Sequence, residues 1–325
     1  MVSSSCLSFF HVDKRLTHSL NSQEWEVYVD QSKQSLERGA SATLDAFVGL
    51  SPPEVRVIPA IIAKTKAKGP IVRCIALDDQ NNCFEASNVD SVDKVYRILT
   101  RHMRVQGVDA SARECLKWKY KGNGHLEEGE ASLAIDAYNQ ALATGFSEQE
   151  GIVLLMRATA YLKLASIHQQ ELQELVGDLS RSVPDTTSLQ LLYEEAARHP
   201  SIAMALFERV ISDSKAQDRK FRTLKFRHGL YQYALLHAAR DSLRATQLLP
   251  NYSNVWLSAG EILSELWKLK ESAKYYEKAY ELDPSLTDSL SPVVARLRKR
   301  QELLDSARAY GWSEDTLRLA LDVAG

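Results

Sequence analysis

Two stretches of this chain carry the same residue types at the same intervals, and that recurrence limits the fold more than any other feature. Trp118, Gly122, Ala134, Tyr138 and Ala141 are separated by 4, 12, 4 and 3 positions, and Trp256, Gly260, Ser272, Tyr276 and Ala279 repeat those intervals, followed by Pro284. An interval of three or four keeps two residues on one helical face. The longer interval leaves room for a turn between two helices. Helices approach closely only where one offers a small residue to the other, so Gly122 is expected to face Ala134 and Gly260 to face Ser272, with Trp and Tyr filling the space beside them. Asp283-Pro284 then ends the second helix of the later pair.

This pattern resembles the tetratricopeptide repeat, a unit of about 34 residues built from two helices. Residues 115–148 match as a first repeat. A second starts at Gly151 with Leu154, Ala158 and Tyr161, and its second helix is recovered at Ala238, Ala245 and Pro250 after an insertion at about 165–232. The third covers Ser253 to Leu286. The insertion carries apolar-periodic segments at Leu172 to Leu179, Leu189 to Ala197 and Ile202 to Ile211, so it is expected to add helices beside the stack. Residues 291–325 are expected to close the stack, with Val293, Leu297, Leu303 and Leu304 on a capping helix. The resemblance thus implies a mostly α protein, an α-solenoid of three repeats with a helical insertion in the second, occupying 111–290.

Residues 1–110 read as a separate small α+β module of no recognised family. Trp25, Val29, Ser32 and Leu36 keep helical spacing and predict a helix over 23–38, and a second short helix is expected over Ser41 to Leu50. Pro59 interrupts Glu54 to Lys68, for which two short helical pieces are expected. Two strand-like runs, Ile71 to Leu77 and Cys83 to Ala86, flank the turn-forming Asp78 to Asn82 and predict a β-hairpin. Cys74 and Cys83, which such a hairpin could bring face to face, are read as small strand residues rather than as a redox pair. An amphipathic helix from Ser91, with Val92, Val95, Tyr96, Leu99 and Met103, should cover the hairpin.

For function, the resemblance implies a concave groove, lined by the first helix of each repeat, that binds a protein segment as an adaptor or scaffold does. The groove-facing positions are Lys119, Asn123, Met156, Asn254 and Ser258. One branch of the family clamps the C-terminal carboxylates of heat-shock chaperones, and Lys119 with Asn123 matches part of that clamp. The remaining positions depart from it: Met156, Asn254 and Ser258 replace polar or cationic residues, and no Lys or Arg occurs between Asn251 and Leu266. A carboxylate pair needs charge-assisted donors, so a generic peptide groove is preferred over an intact co-chaperone clamp.

Other chemistry was sought. Lys215 to His228 interleaves Lys215, Arg219, Lys220, Arg222, Lys225 and Arg227 with Phe221 and Phe226, a composition that can bind RNA or single-stranded DNA. A solvated helix with Phe221, Leu224 and either Phe226 or Leu230 in the core is the preferred reading; the same holds for Arg296, Arg298, Lys299 and Arg300. An enzyme reading would use the hairpin with Asp78 or Asp79. There is no Gly-rich phosphate loop and no nucleophile or zinc-helix motif, so no catalytic activity, cofactor or metal is expected. The string Ala309 to Glu314 with Ala320-Leu321 is similar to the first half of a ubiquitin-associated domain, but a terminal helix anchoring Trp312 is preferred.

Composition narrows the setting. The 325 residues hold 40 Lys+Arg against 42 Asp+Glu, a formal charge of -2, which provides no global pull toward nucleic acid or anionic lipid. Four scattered cysteines with no C-x-x-C pair argue against a disulfide scaffold. With no signal-like or membrane-spanning run, a cytoplasmic protein is expected.

Overall fold

The computed structural model describes residues 24–62, 69–77, 83–181 and 219–309. They divide into two compact units. The first comprises the described residues up to Tyr120 together with Ala143–Gln149; the second comprises Lys121–Leu142 and the described residues from Glu150 onward.

The first unit is built on a four-stranded sheet, β1 (Trp25–Asp30), β2 (Val55–Ala60), β3 (Ile71–Ala76) and β4 (Cys83–Ser87), in the order β2-β1-β3-β4. β1 and β2 are parallel, joined through α1 (Lys33–Leu36) and α2 (Ala40–Leu50), while β1, β3 and β4 pair antiparallel. The helix expected over 23–38 is therefore a strand followed by one helical turn. Trp25 and Val29, four apart, satisfy a helical period and a strand period alike; Val27 decides, because it is buried between them on the same side. Leu36, which completed the helical reading, is 44% exposed.

The helical pieces expected after Glu54 are likewise overturned for the described residues, which form β2. Pro59 is tolerated there because β2 lies at the sheet edge, where a missing N–H costs no ladder bond. The hairpin is present as β3 and β4, its turn lying outside the described residues. Its two cysteines do not face each other: Cys74 pairs with Phe84 and is buried, whereas Cys83 pairs with Ile75 and is exposed. α3 (Val92–Arg97), continued by a π-helical turn (Ile98–His102), then buries Val92, Val95 and Leu99 in one core with Trp25, Val27, Phe47 and Val72. Burial of such side chains drives this unit, at about 1.5–3 kcal/mol each before conformational entropy is charged.

Polar groups in this unit are satisfied internally. Asp30 is buried at the end of β1 and accepts hydrogen bonds from Ser32 Oγ at 2.8 Å, from Ser35 Oγ and from the Ile62 N–H at 3.0 Å. Burial alone would raise its pKa, but the bonds from Ser35, Ile62 and Ser32 outweigh that and hold it below the ordinary carboxylate value.

The second unit is helical. The division falls within α4 (Ala110–Glu127); α5 (Ala131–Ala143), α6 (Ser147–Arg181), α7 (Arg219–Leu248), α8 (Ser253–Glu265), α9 (Leu269–Leu282) and α10 (Thr287–Ala309) follow. α6 and α7 run antiparallel: contacts pass from Gly151 with Leu249, through Arg157 with Asp241 and Tyr161 with His237, to Glu171 with Arg227. The described ends of the insertion are thus continuations of α6 and α7. Its other expected segments, from Leu189 and from Ile202, lie outside the described residues, as does the string after Ala309.

Arg157 ties this pair together. Its guanidinium grips the buried Asp241 with two bonds of 2.7 and 2.8 Å and reaches Asn139 at 2.6 Å. α10 packs Leu290, Val294, Leu297 and Leu304 against Leu269, Ala273, Tyr276 and Ala279 of α9, while Leu303 is exposed. In the second basic run Arg296, Arg298 and Lys299 are exposed and Arg300 is half-buried, with Arg298 paired to Glu277. No described helix is long and apolar enough to cross a membrane.

Candidate functional site

The recurring glycines mark where helices touch. A Cβ on Gly122 would lie 2.6 Å from Tyr138 Cε1, and one on Gly260 would lie 3.0 Å from Tyr276 Cδ1, so each glycine makes room for the tyrosine ring of the next helix. Ser272 Oγ donates to the Gly260 carbonyl at 2.7 Å, the small-to-small approach expected there. In both pairs the atoms nearest an added Cβ belong to the tyrosine, Tyr138 at Gly122 and Tyr276 at Gly260. The rest of the framework is mostly core: Ala134, Ala141, Ala158, Tyr161, Ala238, Ala245 and Ala279 are buried. Trp118 and Trp256 are half-buried, and the Trp256 indole donates to the Pro250 carbonyl at 2.9 Å, fastening the turn before α8. Pro250 and Pro284 are exposed at helix boundaries.

The five expected groove positions fare differently. Lys119 is only 3% exposed and belongs to the first unit, where its ammonium donates to Asp45 Oδ2 at 2.6 Å and Gln149 Oε1 at 3.2 Å. The Tyr120 hydroxyl shares that Asp45 oxygen at 2.6 Å; burial, reinforced by Asp45, raises this phenol well above its ordinary value. The charge of Lys119 is committed to the fold. Asn123, in the second unit, accepts from the Tyr138 hydroxyl at 2.8 Å. Met156 is half-buried on α6, beside Leu154 and Leu155, which pack with Val255 of α8.

Asn254 and Ser258 are half-buried on one side of α8. Continuing that side along the helix leads to Glu261 and Glu265, both exposed. Although water reaches them, surrounding protein raises both carboxyl pKa values by partial desolvation, and Glu261 adds repulsion at Glu265. No cation acts on either carboxylate among the described residues. Sequence reasoning passed over this pair because it searched the stretch for donors. Its finding, no Lys or Arg between Asn251 and Leu266, was itself the signal.

His125, Glu128 and Glu130 bring ligand atoms within 4.8 Å of one another at the α4–α5 turn, but the two glutamates are exposed and His125 Nδ1 already shares a hydrogen bond of 2.8 Å with Glu130. In the basic segment, Phe226 is 64% exposed, contrary to a core-facing role for that residue, while Leu230 is half-buried and Arg227 pairs with Glu171 at 2.9 Å. Lys215 lies outside the described residues. No family model matches the chain, and no curated protein does.

Proposed function

We propose that the second unit is a stack of tetratricopeptide-type hairpins and that the protein is a non-enzymatic adaptor, holding a segment of a protein partner on the groove side of α8. The observation that carries this reading is the repeated close contact of Gly122 with Tyr138 and of Gly260 with Tyr276, which lets paired helices approach closely and leaves the polar side of α8 outward. Asn254 and Ser258 supply hydrogen-bonding groups on that side, and half-buried Leu257 supplies apolar area next to them. A carboxylate clamp is the weaker version, since the one cation it shares with this sequence, Lys119, is spent on Asp45.

Affinity purification with the full chain and with a Ser258→Arg variant tests the reading. A bulky arginine in the middle of a groove displaces a docked segment and should reduce partner recovery by at least about tenfold, the scale of a central interface position. Undiminished recovery by a variant with unchanged circular dichroism would refute it.

A further inference from the structure

α7 turns an apolar stripe outward. Phe226, Gly229, Tyr233, Leu236 and Arg240 succeed one another at alternating intervals of three and four, the spacing that keeps residues on one helical face, over ~21 Å of helix. All five are exposed, and the large ones heavily so: Phe226 64%, Tyr233 54% and Leu236 58%. Apolar side chains exposed singly are ordinary, but three aligned on one stripe form a patch.

The glycine in that stripe is a second observation. Gly122 and Gly260 each admit a tyrosine ring, and Gly151 admits Leu249, 2.7 Å from where its Cβ would stand. At Gly229 an added Cβ would meet nothing within 4 Å, so a helix-weakening residue leaves an open notch between Phe226 and Tyr233. Gly124 of α4 is open as well, but no exposed large apolar side chain flanks it. The patch is also held in shape: the Tyr233 ring leans on His237, 4.2 Å between centroids, and His237 stacks at 5.1 Å on the buried Tyr161 of α6. A ring already fixed loses little freedom when something docks on it.

The charge around the stripe has one sign. From Thr223 to Leu248 the helix carries Lys225, Arg227, Arg240 and Arg244, and its sole acid, Asp241, is buried in the grip of Arg157. Across from it on α6, Glu171 is held by Arg227 and His168. Lys225 and Arg240 stand exposed at the two ends of the stripe. Leu236 has no ring face and Gly229 offers a hole, features that suit packed side chains better than stacked bases.

We propose that the Phe226, Gly229, Tyr233 and Leu236 stripe of α7 is a second docking face, and that it takes an acidic amphipathic helix from a partner protein. An apolar side chain of that helix fills the notch over Gly229, as Tyr138 does over Gly122, and carboxylates flanking its apolar side meet Arg240 and Lys225. The face is carried by α7 and not by α8, so it stands without the adaptor reading.

The test uses the full chain and three fluorescein-labelled amphipathic peptides that share one leucine pattern and bear glutamate, glutamine or lysine elsewhere, with labelled oligouridine as a fourth probe, followed by anisotropy at low and high salt. The glutamate peptide should bind best. Gly229→Leu fills the notch where space is open and a better helix former is tolerated, so it should weaken that peptide about tenfold with unchanged circular dichroism. Tyr233→Ala with Leu236→Ala should do the same, and Arg240→Glu should cost about threefold at low salt and less at high salt. Undiminished binding by Gly229→Leu and by the alanine pair would overturn the proposal, as would binding of none of the peptides or preference for the lysine peptide. Oligouridine bound in place of the glutamate peptide, and lost on Tyr233→Ala, would make the stripe a nucleic-acid face instead. A dimer in sedimentation velocity that Gly229→Leu dissociates would give the stripe to a second copy, and peptide binding lost on Ser258→Arg yet kept by Gly229→Leu would move the peptide to α8; either result overturns the proposal.

Discussion

The sheet unit's buried charges and the exposed glutamates on α8 of the helical unit are treated in opposite ways. In the sheet unit, Asp30 is enclosed by Ser32, Ser35 and the Ile62 amide, and Lys119, Asp45, Tyr120 and Gln149 close on one another. On α8 of the helical unit, Glu261 and Glu265 are exposed, mutually repulsive and without a cation among the described residues. Paired charges hold a fold together; exposed ones that share a face stay open to water. The contrast also runs within the helical unit, since Arg157 and Asp241 are as fully engaged as anything in the sheet unit.

The sharpest way to break the comparison is to remove a matched charge. Asp241→Ala strands the Arg157 guanidinium and should cost about 3–5 kcal/mol in urea unfolding, while Arg157→Met with Asp241→Leu recovers much of that loss. A loss under about 1 kcal/mol would place this pair with surface ion pairs. Lys119→Met should follow at about 1–3 kcal/mol, because it leaves Asp45 beside Tyr120 without its cation.

Gly122→Ala and Gly260→Ala come next. The added methyl overlaps the Tyr138 ring in the first case and only crowds Tyr276 in the second, so a cost of about 1–2 kcal/mol is expected for Gly122. For Gly260, crowding and the gain of about 1 kcal/mol in helix propensity nearly cancel. Equal effects would mean the two contacts are not packed as described.

The smallest effect is the most telling. Glu261→Gln with Glu265→Gln removes a like-charge pair and should leave stability unchanged or raise it by a few tenths of a kcal/mol. The pH windows have opposite signs. Asp30, lowered in the folded state, contributes stability above its unfolded value of about 3.9 and loses it as pH falls through the folded value. Glu261 and Glu265, raised in the folded state, contribute below about 4.3 and lose it as pH rises through their folded values. Unfolding midpoints across acid pH should therefore show Asp30→Asn flattening the rise at the low end and the double glutamine variant removing the fall above it.

Legibility in the sequence followed how local the deciding physics was. The hairpin strands β3 and β4 were readable because β-branched runs flank an Asp/Asn turn, and the helix pairs were readable because a glycine and a tyrosine recur at fixed spacing. β1 was misread since Trp25 and Val29 fit two periods and only tertiary burial of Val27 separates them. β2 was missed because whether Pro59 breaks an element depends on that element's place at the sheet edge. At the candidate site, Asn254 and Ser258 were assigned from the repeat register, and extending it by two further turns reaches Glu261 and Glu265. The burial of Lys119 was beyond reach, because its partner Asp45 lies 74 residues away in the chain.

Amide hydrogen exchange of the full chain, free and bound to the partner that it recovers, tests the central claim most directly. The account predicts that the strongest protection on binding falls on α8, at Ser253–Glu265. Protection confined to the sheet unit, with α8 exchanging as in the free protein, would contradict it.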